Sequence, residues 1–141
     1  KDKLILMTMD NILRKLGKHA IDSVNEISSP IEKLEKYLFI VNQAVGPKFD
    51  RFMKNVEKIE GSKKMTDFHE NFISEYTEKL LNEAINMKEI REIDTKAFSI
   101  LFSSIGREFL SEKNRKLISS SPDESANSLT SIILNGIKLK N

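Results

Sequence analysis

Residues 29–45 read SPIEKLEKYLFIVNQAV, and this stretch decides the fold. Ser29 stands where a helix cap belongs, Pro30 has the fixed φ of a first helical position, and Glu32 can reach back toward the cap. Behind them Ile31, Leu34, Tyr37, Leu38, Val41, Ala44 and Val45 recur mostly at three- and four-residue steps, one wide apolar stripe. Phe39 and Ile40 fall off it, which predicts a helix buried on more than one side.

The same grammar extends in both directions. Upstream, Ile5, Met9, Ile12, Leu13, Leu16 and Ala20 form a single helical stripe between Lys3 and Ala20, with Leu4 and Met7 off it. Downstream, Gly46-Pro47 ends the helix and permits a short one carrying Phe49, Phe52, Met53 and Val56. A loop at residues 60–64 precedes a long helix from Met65 to Met87, with Met65, Phe68, Phe72, Tyr76, Leu80 and Met87 near one face. A break at residues 88–94 ends on Asp94 as a cap, and Thr95 to Ile118 reads as the next helix, its main stripe Phe98, Leu101, Phe102, Ile105 and Phe109. Ser121-Pro122-Asp123-Glu124 repeats the serine–proline start for a last helix, Asp123 to Leu139. No stretch alternates with period two for long enough to form a strand. The expectation is one all-α domain over residues 1–141, a bundle of about six helices.

Composition narrows function by exclusion. The 141 residues contain no cysteine, so disulfides, thiolate catalysis and cysteine-ligated metals are ruled out. The 23 basic and 21 acidic residues are interspersed: Arg14, Lys15 and Lys18 are answered by Asp10, Asp22 and Glu26. A nucleic-acid grip concentrates cations on one face, so this chain by itself is a poor one. No apolar run reaches the length of a membrane span, and residues 1–10 do not read as a signal peptide; a cytoplasmic protein is expected. The chain opens at Lys1, already inside an amphipathic pattern, and reads as part of a longer protein. His19 has Asp22 three residues on but no second histidine at ligand spacing, His69 has no carboxylate or histidine three or four residues away, no glycine-rich phosphate loop occurs, and no serine sits in a nucleophile–base pattern. Neither a metal, a cofactor nor an enzymatic activity is expected.

Two features point to binding. His69 shares a helical face with Met65, Phe72 and Tyr76. It is either a histidine at the core's edge, satisfied by a neighbour, or a polar group in an apolar cavity, with Tyr76 a second one. Met9, Met53, Met65 and Met87 either line such a cavity or simply fill the core. The second feature is an excess of off-core surface on the last long helices. Ile100, Ser103, Ser104 and Arg107 lie opposite the stripe of one, and Leu129, Ile132, Ile133, Gly136 and Ile137 spread widely round the other. Packing against a second copy would use that surface.

Taken in order, the pieces resemble the regulatory domain of the TetR-like (tetracycline-repressor-like) transcription regulators. Residues 1–5 are similar to the segment joining the DNA-binding head to the body, and residues 29–34 to the proline-and-leucine start of the next helix. Residues 80–84 with 89–94 and Ala97 match a helix, short break, aspartate, helix passage. Ile105-Gly106, the Ser121-Pro122 cap and residues 134–137 resemble the last two helices. The resemblance implies a homodimer whose last two helices join those of the partner in a four-helix contact. It also implies a small apolar or amphipathic effector among the central helices, lined by Leu13, Leu16, Phe52, Met53, Phe68, His69, Phe72, Tyr76 and Phe102. DNA would be bound only through a helix-turn-helix head upstream of residue 1. The rival expectation is a helical protein–protein interaction module with no small-molecule ligand.

Overall fold

Pro30 does begin a helix, and its start is doubly satisfied. The first N–H groups of any helix lack intrahelical acceptors; here the Glu32 N–H donates to Ser29 Oγ at 3.3 Å and the Ile31 N–H to Glu89 Oε1 at 2.9 Å. The first bond is the local cap expected from the sequence, and the second comes from a side chain 58 residues away.

The computed structural model describes residues 1–43, 47–110 and 112–140, with backbone only at 47–50, 106, 107, 110 and 112. Within them the chain is all-helical: α1 (Asp2–Val24), α2 (Pro30–Gln43), α3 (Pro47–Val56), α4 (Ser62–Asn86), α5 (Thr95–Leu110), α6 (Glu112–Arg115) and α7 (Pro122–Ile137). Ala44, Val45 and Gly46 of the expected α2 stripe and stop lie outside the described residues, as do the side chains of Phe49, Arg107 and Leu110. Where the sequence predicts one helix from Thr95 to Ile118, the described residues are helical over α5 and the single turn α6, and residue 111 between them lies outside the described residues. The last turns are otherwise placed within a few residues of expectation. α4 begins at Ser62 rather than Met65 because Gly61, at φ 91°, takes the left-handed conformation that lets the chain turn into it.

Three helix ends explain the connections. At α5, Asp94 Oδ1 accepts the Ala97 N–H at 3.1 Å, the aspartate cap. At α7, the Ser121 hydroxyl donates to Glu124 Oε1 at 2.7 Å and makes no bond to the helix backbone. At the end of α4, the Lys88 N–H meets the Ile85 carbonyl and the Glu89 N–H meets the Ala84 carbonyl, with Lys88 itself at φ 59°. This pair of reversed bonds satisfies two carbonyls that α4 leaves open.

α2, α4, α5 and α7 close a ring, each packed on the next, and α1 lies against α2 and α4. Ile31 meets Glu89 and Tyr37 meets Tyr76, so α2 and α4 run antiparallel; Glu35 meets Lys138 and Asn42 meets Thr130, so α2 and α7 do as well. The core lies inside this ring, built from Leu34, Tyr37, Leu38, Leu80, Leu81, Ala84, Phe102 and Leu134, with Ala20 and Val24 contributed by α1. At one end the chain's last residues pair with the α4–α5 connection. Arg91 donates to the Ile137 carbonyl at 3.0 Å and Leu139 to the Glu89 carbonyl at 2.9 Å.

Periodicity misplaced some apolar side chains. Phe39 is exposed, so that side of α2 is open rather than covered, while Ile40 packs on the core. Leu101, on the main stripe of its helix, and Met87, expected either to line a cavity or to fill the core, are exposed as well. A stripe identifies a face; it does not say whether another helix lies over the face's margin. No helix among the described residues is long and apolar enough to cross a membrane.

Candidate ligand groove and interface

α4 is longer than the helices beside it, and the first half of its outer face is only partly covered. There Phe68 and Phe72, 48% and 45% exposed, sit in an open groove of about 770 Å³ with Lys64, Asp67, Asn71 and Glu75 at its rim. Aromatic faces flanked by both signs of charge suit an amphipathic partner more than a single ion.

His69 faces the other way, toward α1. Its Nε2–H donates to Asp10 Oδ1 at 2.8 Å, and the other carboxylate oxygen takes Arg14 Nε at 2.7 Å. The Arg14 guanidinium in turn lies 5.5 Å above the Phe68 ring, within cation–π range. The Arg14 hydrogen bond, then the His69 one, holds the Asp10 carboxyl below the usual carboxylate range. His69 therefore has the satisfying neighbour that one of the two sequence readings required. That neighbour was invisible locally, because the carboxylate is supplied by another helix 59 residues away.

The nine side chains expected around an effector do not converge on one cavity. Phe68 and Phe72 line the groove, and His69 is clamped to α1. Tyr76 packs against the core, its ring tilted against that of Tyr37 with centroids 4.6 Å apart, and burial pushes both phenols above the usual tyrosine pKa. Phe102 is buried in the core, its ring 6.3 Å from Phe98. Leu13, Leu16, Phe52 and Met53 are half-buried. Among the described residues no group of three or more histidine or acidic side chains is placed to hold a metal ion.

The residues expected at a dimer contact are more coherent. Ile100 is 54% and Ile132 65% exposed, and Leu129 and Gly136 are exposed beside Ile132 at steps of three and four along α7. Ser103 and Ser104 turn their hydroxyls onto the Ile100 carbonyl, which leaves a small, internally satisfied surface. A Cβ added at Gly136 would meet nothing within 4 Å in this chain, so intrachain packing does not require glycine there. Two positions differ from expectation: Ile137 is buried among the chain's own core residues, and Ile133 packs against that core. Arg107 lies outside the described side chains. On α1, Leu4 and Met7 are exposed.

Comparisons with protein-family models, with curated proteins and with solved structures find no match to this chain.

Proposed function

We propose that this chain is the dimerising, effector-responsive domain of a TetR-like transcription regulator. One observation carries the reading: the last two long helices, α5 and α7, present Ile100, Leu101, Leu129 and Ile132 to solvent, although each already has a buried face. Isolated surface apolars are ordinary, but several on two neighbouring helices, next to a glycine that no intrachain contact requires, suit close packing against a copy. On this reading the ring of α2, α4, α5 and α7, each packed on the next, carries movement at one side to the other. On this reading Leu4 and Met7 seat an upstream helix-turn-helix head, which alone grips DNA. Native mass spectrometry of the purified protein tests it, since subunit count and any retained small molecule are read together. A monomer without ligand would count against it.

A second reading has its own support. Phe68 and Phe72 are exposed in a groove on α4 with a charged rim, and a helical module that recruits another protein would use such a surface. It predicts that substitutions at Phe68 and Phe72 abolish partner capture while leaving subunit number unchanged.

A further inference from the structure

The outer face of α4 carries a charge pattern that the packing of this chain does not use. Lys64, Phe68, Phe72 and Glu75 follow one another at steps of four, four and three, with Asn71 beside them, so they form one row along the helix. All five are exposed. The flanking Lys63 and Asp67 satisfy each other at 2.9 Å within the chain. Lys64 and Glu75 have no ion-pair partner among the described residues.

The row is centred on its own middle. Phe68 and Phe72 have their midpoint at residue 70, and Lys64 and Glu75 half a residue before it, a difference of under about 1 Å along the helix axis. Glu60, in the turn before α4, and Lys79, one turn beyond Glu75, are exposed too and share the midpoint of Lys64 and Glu75. In both charged pairs the two members have opposite sign. Such a surface is complementary to itself turned end for end. With two copies antiparallel, Phe68 lies against the partner's Phe72, and Lys64 reaches the partner's Glu75. Parallel copies would instead set lysine on lysine and glutamate on glutamate.

We propose that the outer face of α4 is a second homotypic contact, closed by another copy of this chain about a two-fold axis near residue 70. A two-fold contact needs the reciprocity seen in the row, where one residue meets a second and that second meets the first. The charge match selects a copy over an unrelated partner, since opposite charges recur at equal distances on both sides of the aromatic pair. A single helix face falls short of the roughly 1,000 Å² that a stable interface buries, so the contact is weak and fills toward millimolar concentration. α7 packs on α2 and α5, across the ring from α4, so this face is separate from the α7 surface and can link dimers formed there. It stands independently of that dimer.

The test is sedimentation equilibrium of the whole chain from micromolar to millimolar concentration. The parent carries Ile132→Glu, so that association through α7 does not contribute. Lys64→Glu, Glu75→Lys and the two together are added to it; all three positions are exposed, and circular dichroism checks that the helices are kept. The parent's mass should rise with concentration from 16.2 kDa toward twice that value. Either reversal alone sets like charges together on both sides of the axis and should hold the mass at one chain. The double exchange restores opposite charges and should restore the rise. Lys64 and Glu75 are about 16 Å apart along one helix, so that rescue cannot arise within a chain. A parent mass that does not rise would overturn the proposal and leave the face to a different protein or a small amphiphile. Reversals that leave the parent's association intact, or a double exchange that fails to restore it, would overturn it as well. The wild-type mass at micromolar concentration reports the α5–α7 contact separately.

Discussion

Asp10 and His69 are 59 residues apart in sequence and joined by a 2.8 Å hydrogen bond, which fixes α1 to α4. With Arg14 on the other carboxylate oxygen, the bond works best when Asp10 is ionised. A carboxyl whose folded pKa is depressed contributes stability that is present above its unfolded value, near 4, and lost as pH falls through the lower folded value. Tm should therefore decline on acidification below about pH 4. Asp10→Asn should lower Tm at neutral pH and flatten that decline. Unfolding curves of both proteins from pH 2 upward check it, and parallel curves for the two would contradict it.

Phe102 and Phe72 are both aromatic residues on apolar stripes, yet one is in the core and the other beside the groove. Phe102→Ala should cost about 3–5 kcal/mol in chemical denaturation, the range for emptying an aromatic site in a packed interior. Phe72→Ala should cost about 1 kcal/mol or less, because half of that side chain is already in water. Equal losses would mean that the groove is closed over in solution.

Lys88 occupies the left-handed region at φ 59° at the end of α4, where a side chain is disfavoured and glycine is at ease. Its side chain is exposed, so replacement removes the strain without emptying the core. Lys88→Gly should stabilise the protein by about 0.5–1 kcal/mol, the relief being partly offset by the greater freedom of glycine in the unfolded chain. A loss of stability would show that Lys88 makes a contact worth more than its strain.

How much of this was readable in the sequence follows the range of each interaction. The Ser29-Pro30 start and the Asp94 cap were legible because their bonds close within three residues. The helical stripes were legible because a helix repeats every 3.6 residues. The end of α6 at Arg115 was not, since residues 116–118 continue a helical composition. Nor could the sequence place Phe39, Leu101 or Met87, which lie at stripe margins where exposure depends on a neighbouring helix's position. The clamp on His69 and the Glu89 carboxylate on the start of α2 both come from distant segments, beyond any local pattern. The exposure of Leu129, Ile132 and Gly136 followed from the breadth of the α7 stripe; the burial of Ile137 did not, because it turns inward beside the strand-like pairing that follows it.

Glu89 is a long-range contact that substitution can isolate. Its carboxylate accepts the Ile31 N–H at the positive end of α2, a favourable place for negative charge. Glu89→Gln keeps an acceptor and loses the charge, whereas Glu89→Ala loses both. Denaturation should rank wild type, Gln and Ala in falling order, the last by about 1 kcal/mol. An alanine variant as stable as wild type would show the contact to be incidental.

Contact of α5 and α7 with a second copy sets the subunit number, which the account reads from the light-scattering mass of the chain and of Ile132→Glu. Ile132 is the better probe than its neighbour Ile133, whose side chain also supports the core. A charge on an exposed helical position leaves the single chain folded but cannot be buried unpaired in an apolar contact. The account predicts a mass twice the 16.2 kDa of one chain for the wild type at micromolar concentration. For the variant it predicts a single-chain mass with unchanged helical circular dichroism. A wild-type chain that is monomeric, or a variant that remains a dimer, would contradict it.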